Sequence, residues 1–364
     1  HKYLLSLTMR ADGSTKFAPG NQWGYFPSIS GAWVLSEENF LNDVEWIDQL
    51  KLRAAVGLAG NNRIDNDMWR YLYSVNSTGG PGFGESTQFG EQWYGNQGST
   101  TFANKDIKWE TTLTRNLAAD ITLFGGRLTV TPEVYWNTTK DLLMKTTIPG
   151  ITGFTATYAN VGQTSNKGIE IALQGVLVQT KDWNVTAGFN INFNRGNVDE
   201  LADNVTGLYG TQWASGSTFP SSDYILMEGK PVGLVRGLIA DGFYTTSDFT
   251  YANGIYTLKE GIPDISSVVF PNYHLHSGMN ERPAGQSAYP GMPKFKDRDN
   301  NGIINDDDVE VIGDMTPVHT GGFNINTSYK NFDLGLYFNW SYGNEIYNAN
   351  KLGALYGYKE SGVY

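Results

Sequence analysis

The stretch that most constrains the fold is residues 183–194. There Trp183, Val185, Ala187, Phe189, Ile191 and Phe193 alternate with Asn184, Thr186, Gly188, Asn190, Asn192 and Asn194. Side chains of a strand point alternately to its two faces, so this is a strand with one apolar and one polar wall. Residues 332–342 repeat the design, with Phe332, Leu334, Leu336, Phe338, Trp340 and Tyr342 set against Asp333, Gly335, Tyr337, Asn339 and Ser341. Aromatics sit near both ends of each apolar face. Phe332 and Trp340 would stand roughly 20 Å apart along a barrel axis, at ~3.3 Å per residue and a tilt of ~40°. That approaches the ~25 Å apolar band between the aromatic girdles of an outer-membrane barrel. A lipid-facing wall is the first reading, and the core face of a soluble β-sandwich, which alternates in the same way, stays open.

Hydropathy narrows the options. No run of about 18 apolar residues exists, which excludes a transmembrane helix, and the mean hydropathy of -0.35 suits strands whose two faces average out. A net charge of -11 argues against nucleic-acid binding, where a basic stripe is expected. With no cysteine, the fold uses neither disulfides nor cysteine metal sites. The 364 residues start at His1 without Met and stop soon after a strand, and the chain is expected to be an internal part of a longer protein.

Along the chain, strands are expected at Tyr3–Arg10, Trp23–Leu35 and Leu50–Leu58, with a short helical turn in the acidic stretch Ser36–Trp46. Three hairpins follow. Leu117–Phe124 and Leu128–Trp136 are joined by Gly125-Gly126, Ile169–Val178 and Trp183–Asn194 by Gln179–Asp182, and Phe323–Tyr329 and Phe332–Tyr342 by Lys330-Asn331. Long loops are expected at about 64–105, 140–165, 195–230 and 245–318, with no assignment for 200–228. Tight turns alternating with long connections are the habit of outer-membrane barrels, whereas sandwiches keep both ends short. The count is about ten to twelve strands.

Several blocks then resemble one family in order along nearly the whole chain, the loops at 64–105 and 200–290 excepted. They are Arg10-Ala11-Asp12-Gly13-Ser14, Trp23-Gly24-Tyr25-Phe26-Pro27-Ser28, Leu50-Lys51-Leu52-Arg53-Ala54 and Gly57 through Gly60-Asn61. Trp109-Glu110-Thr111-Thr112, Thr138 through Leu143, Asn160-Val161-Gly162 and Asn166 through Glu170 continue the series. Phe295-Lys296-Asp297 through Asp308 and Ser341 through Asn348 complete it. The chain resembles the barrel of SusC/RagA-type TonB-dependent transporters of Bacteroidetes. The resemblance implies an all-β fold: part of a 22-stranded transmembrane antiparallel β-barrel, with the N-terminal plug, the TonB-contacting box and the final strands outside this chain. Half a barrel would leave two open edges in lipid, so these 364 residues are expected to need the remaining segments to fold.

The sharpest local motif is Asp297 through Asp308. Counted from Asp297 it offers oxygen ligands at positions 1, 3 and 5 (Asp297, Asp299, Asn301), Gly302 at 6, the Ile303 carbonyl at 7 and Asp308 at 12. That is the spacing of an EF-hand-type calcium loop. Asp308 in place of the usual Glu shortens the last ligand, and Pro293 before and Val309-Glu310-Val311-Ile312-Gly313 after leave no room for flanking helices. A solvated Asp/Asn turn cluster is the equal alternative; bound calcium would pin the loop structurally. His274 and His276 share a strand face but lack a third ligand in the sequence, so an ordinary polar loop is the stronger reading. Trp93, Tyr94, Tyr209 and Trp213 could stack on sugar rings, although packing loops together or sitting at the bilayer interface is favoured. No G-x-S-x-G, H-E-x-x-H or P-loop is present, and no Asp/Glu pair stands out for glycosidase work. The chain gives no sign of an enzyme.

The reading is therefore a wall segment of an outer-membrane barrel. By resemblance it would import oligosaccharides or peptides, energised through TonB and assisted by a SusD-like surface lipoprotein. The apolar faces would meet outer-membrane lipid; the polar faces, with Asn190, Asn192, Asn194, Glu170 and Gln174, would line the lumen or meet the plug. A passive porin-type channel and a soluble all-β glycan-binding protein remain the alternatives. The substrate cannot be read from residues that lie in patternless loops.

Overall fold

The computed structural model describes residues 1–41, 43–70, 73–76, 86–89, 92–98, 101–154, 156–201, 208–209, 222–266, 269 and 283–348, and among these there is no α-helix. The chain divides into two compact units, His1–Val205 with Val318–Tyr342, and Thr206–Pro317 with Gly343–Tyr364.

The first unit is built on one nine-stranded sheet. Its strands are β1 (Tyr3–Gly13), β2 (Trp23–Val34), β3 (Ile47–Asn61), β4 (Glu110–Leu123), β5 (Leu128–Lys140), β6 (Gln163–Gln179), β7 (Trp183–Glu200), β8 (His319–Tyr329) and β9 (Phe332–Tyr342). They lie side by side in chain order, each antiparallel to the next. Gly125 and Gly126 take φ of 68° and 77° at the β4–β5 turn, the left-handed backbone that a tight hairpin demands.

Register keeps every apolar set on one side. A single row across the sheet runs Tyr3, Trp33, Leu52, Ala119, Pro132, Ile171, Ile191, Gly321, Trp340, apolar or small throughout and aromatic at both ends. Tyr3 lies at the tight-turn end of β1 and Trp340 at the loop end of β9, so the row climbs from one rim to the other. Eight interstrand steps of ~4.8 Å make ~38 Å, and climbing a ~25 Å band over that length needs a strand tilt of about 40°, which is barrel geometry. Large apolar side chains stay exposed on this face, Leu7 at 70 % and Phe332 at 77 %. Aromatics meet at the tight-turn rim in Tyr3–Trp33 and Trp183–Tyr329, with centroids 6.3 and 4.3 Å apart, and at the other rim in Phe193–His319 and His319–Tyr342, at 5.5 and 5.1 Å. Trp340 lies flat over Gly321, where a Cβ would collide with its ring.

The two rims differ as the turn lengths required. Residues 35–46, 124–127, 180–182 and 330–331 turn at one rim; 14–22, 62–109, 141–162 and 201–318 connect at the other. The acidic stretch holds a 3-10 turn at Leu35–Glu37. Most strands outrun the bounds expected from alternation, because ends such as Gln163–Asn166 and Thr138–Lys140 are polar on both faces and carry no periodic signal. Nine strands, fewer than ten to twelve, form the main sheet; the surplus consists of short pieces in the loops, among them the Leu143–Thr147/Ala156–Asn160 hairpin. Residues 195–230 and 245–318 belong to one connection, since no strand of the sheet separates them.

That rim has its own small core in the first unit. Phe17, Ile64 and Ile107 are buried there with Met68, Trp69, Trp109, Leu143 and Tyr158 packed on them. Trp109 packs obliquely against Phe17 and edge-on against Phe26, and donates its indole N–H to the Gln22 carbonyl at 3.0 Å. Asn160 clamps the loops together, accepting from the Lys108 amide and donating to the Lys108 and Asp141 carbonyls. Trp109 and Asn160 thus hold loops in place.

The second unit has short ladders, all antiparallel among the described residues except that of Asp264–Ile265 with Ile303–Ile304, the largest pairing Leu208–Tyr209, Tyr224–Leu226, Leu234–Gly237 and Glu310–Asp314. Its core is Tyr244, Phe249, Ile265, Val269, Ala288, Met292 and Ile304. Burial pushes the Tyr244 phenol above its ordinary range, and its hydroxyl donates to the Pro263 carbonyl at 2.7 Å.

Candidate functional site

The face opposite the apolar one carries a polar lining that begins at β3. Asn190, Asn192 and Asn194 on β7 stand across from Ala172, Glu170 and Gly168 on β6. Asn192 donates to Glu170 at 2.9 Å, and Tyr135 donates to Asn194 at 2.7 Å. Gly168 makes the second contact possible, since a Cβ there would overlap the Tyr135 hydroxyl. Glu133 and Glu170 are direct cross-strand neighbours, an arrangement that repels. Each is offset by an amide donor, Asn116 for Glu133 at 3.0 Å and Asn192 for Glu170. Further along, Arg53 grips Asp120 with a two-pronged pair at 2.9 and 3.0 Å, and Lys51 stands 3.5 Å from the same carboxylate. On β8 and β9, Tyr337 donates to Asn326 and Asn326 to Asn324. Among the described residues the buried Oδ1 atoms of Asn166 and Asn192 have no partner and are spare acceptors. This wall offers many directed hydrogen bonds, the chemistry of a polar lining rather than of a catalytic centre.

The Arg53–Asp120 fork and the Tyr135 contacts carry no local signal in the sequence. In sequence Arg53 and Asp120 lie on strands separated by a long loop, and only the register joins them.

In the second unit the acidic loop closes on itself. Carboxylate oxygens of Asp297, Asp299 and Asp308 lie within 4.8 Å of one another, a spacing that one cation with oxygen ligands at 2.3–2.6 Å would span. Gly302, at φ 86°, provides the turn, and Asp297 accepts the Asn301 and Gly302 amides at 3.2 and 2.8 Å. The short reach of Asp308 is answered by a 3-10 turn over Asp306–Asp308, capped reciprocally with Asn305, which carries it inward. Buried there, Asp308 accepts the Arg298 amide at 2.6 Å and the Asn305 amide at 2.9 Å. Asn301 is engaged differently from a ligand: its Oδ1 accepts the Ile303 amide and its Nδ2 donates to Asp299. Ile303–Ile304 pair in parallel with Asp264–Ile265, a ladder that uses the Gly302 and Ile304 carbonyls. By strand alternation the Ile303 carbonyl points to the other edge. Two outside contacts fix the loop: Arg236, buried, holds Asp306 at 2.9 Å, and Asp264 anchors the ladder.

The remaining sequence candidates are not brought into either arrangement. Trp93 and Tyr94 lie on a strand, Gln92–Gly98, opposite Gln88 and Thr87, and Tyr209 pairs with Ile225. Trp213, His274 and His276 lie outside the described residues.

Residues 1–358 match the family model described as TonB dependent receptor-like, beta-barrel. TonB-dependent receptor P3 of Formosa agariphila is 31 % identical over 351 residues, covering 96 % of this chain and 31 % of that protein. TonB-dependent receptor SusC of Bacteroides thetaiotaomicron is 29 % identical over 95 % of this chain and 30 % of its own length. The chain thus spans about a third of these curated relatives. Among solved structures, the RagAB peptide importer in its 'closed-closed' state superposes with a TM-score of 0.67 at 24 % identity, over 94 % of this chain and 32 % of that one. At that identity the likeness speaks for the fold.

Proposed function

Because this chain belongs to the TonB-dependent receptor-like β-barrel family, we propose that it forms part of the wall of an outer-membrane active importer, taking up oligosaccharides or peptides with a SusD-like lipoprotein at its outer mouth and TonB as the energy source. The observation that carries this reading is the tilted sheet with one apolar face, one hydrogen-bonding face, and its three longest connections on one rim. Transporters and receptors are the family's members, and an enzymatic role has no support. RagAB is a peptide importer, which keeps peptides in view beside the oligosaccharides that the family resemblance implies.

Uptake by cells producing the full-length protein is the test. Radiolabelled oligosaccharides and peptides are supplied with and without TonB. Uptake of one class, abolished by loss of TonB, is expected. Uptake that survives TonB loss would make this a passive porin, and recovery of the protein from the aqueous fraction without detergent would make it a soluble binding protein.

A structural calcium ion in the Asp297–Asp308 loop is part of the same proposal, with Asp297, Asp299, Asp308 and the Ile303 carbonyl as ligands and Asn301 joining by rotation of its amide. Bound calcium would lock the outer connection and perform no chemistry. Terbium luminescence excited through neighbouring aromatics should saturate on the full-length protein and be displaced by calcium. Asp297→Asn with Asp299→Asn should weaken binding by roughly tenfold or more. Unchanged affinity in that variant would leave the loop a solvated turn cluster.

A further inference from the structure

The apolar face of the first unit is interrupted by cations at one place. Arg115 on β4 stands opposite Val56, and Lys167 on β6 stands between Trp136 and Arg195. The neighbouring Asn116–Tyr135 pair sets Arg115 beside Trp136, so one row reads Val56, Arg115, Trp136, Lys167, Arg195. At a tilt of about 40°, Arg115 lies roughly 6 Å inside the loop-side limit of the apolar band, Trp136 just inside it, Lys167 at it and Arg195 just beyond. The Arg115 guanidinium bends towards the loops, Nη2 donating to Thr138 Oγ1 at 3.4 Å, as a long cationic side chain does at a membrane surface. Among the described residues neither Arg115 nor Lys167 forms an ion pair. The next carboxylate along this face, Asp199, is occupied by Gln163, Ser165 and Asn197.

Beside Arg115, on the β1 side, the same face holds an open groove of about 450 Å³ lined by Leu7, Met9, Ile29, Val56, Leu58 and Leu113 among others. The groove lies within the apolar band, running from about mid-band at Leu7 up to the level of Arg115 at Leu58 and Leu113, with Lys167 and Arg195 above most of its length. A chain in the groove and an anion on the row would belong to one amphiphile.

We infer that this groove and cationic row bind a phosphorylated glycolipid of the outer leaflet, an acyl chain in the groove and phosphates on Arg115, Lys167 and Arg195. The inference rests on the proposed outer-membrane setting, in which the long-loop rim faces outward. The spacing selects the occupant. Arg115 and Lys167 are two strands apart, about 10 Å, and Arg195 is about 5 Å further on. A sugar headgroup with a phosphate at each end spans such a row, whereas a phospholipid with one phosphate engages only part of it.

The test is native mass spectrometry of the purified full-length protein in detergent, titrated with bisphosphorylated lipid A, with its dephosphorylated form and with phosphatidylglycerol. The wild-type protein should prefer the bisphosphorylated lipid over each of the others by roughly tenfold or more. Arg115→Gln, Lys167→Gln and Arg195→Gln combined should abolish that preference. Equal binding of the dephosphorylated form or of phosphatidylglycerol by the wild type, or an undiminished preference in the triple variant, would overturn the inference. The comparison of lipids on the wild type decides the matter even if the variant fails to assemble. TonB-dependent uptake, assayed separately on the wild type, reports on the transport reading alone.

Discussion

Replacing Leu336 with Arg is expected to destabilise the assembled barrel by about 2–4 kcal/mol, the penalty for a cation on the lipid face near the bilayer midplane. Leu336 lies four residues from Trp340 along β9, which at a tilt of about 40° sets it roughly 10 Å below the loop-side girdle and close to mid-band. Its cross-strand partner is Ile325, and Leu334 and Phe338 flank it on the same face, so among the described residues its immediate neighbours on that face are all apolar. Snorkelling, which serves Arg115 because it lies near the rim, cannot serve a residue at this depth. Asn190→Arg is the matched control. Asn190 sits on the opposite face beside Gly322 and Ala172, and its replacement should cost less than about 1 kcal/mol if that side meets water. Denaturant unfolding of the full-length protein in vesicles measures both. Equal losses at the two positions would reverse or dissolve the assignment of faces.

The main sheet was legible because strict alternation runs along its apolar face. Phe332–Tyr342 has the expected bounds for that reason, its apolar positions alternating along the whole strand. Gln163–Gln179 began six residues earlier than expected, where Gln163 through Lys167 carries no large apolar residue. Once a strand leaves the apolar band, its backbone ladder continues while the side-chain signal stops. The polar lining was legible as a face but not as a network. Nothing local links Arg53 to Asp120 or Tyr135 to Asn194, whose contacts follow from register between distant strands. The acidic loop was the reverse case. Its ligand spacing is local and could be read directly, yet the residues that hold it, Asp264 and Arg236, stand 33 and 61 positions before Asp297 in a connection with no periodicity.

Asp264 is the strongest of these hidden supports. One oxygen of its carboxylate accepts the amides of Ile265, Ser287 and Ala288 at 2.8, 3.1 and 2.6 Å, and the other accepts Ser287 at 3.0 Å. Ile265 and Ala288 are buried in the core of the second unit, so their N–H groups have no access to water when the acceptor is lost. Leaving a buried donor unpaired costs about 1–3 kcal/mol, and two such donors put the expected loss for Asp264→Ala at roughly 2–4 kcal/mol. The effect should spread along the parallel ladder, since Asp264–Ile265 is the segment on which Ile303–Ile304 lies. Asp264→Asn keeps one carbonyl acceptor and should lose less. Hydrogen exchange on the full-length protein tests this directly. In Asp264→Ala the amides of Ser287, Ala288 and Ile304 should exchange faster while those of Phe189 and Ile325 in the large sheet stay unchanged. Unaltered protection at Ala288 and Ile304 would mean that the apolar core of the second unit, rather than this carboxylate, positions the acidic loop.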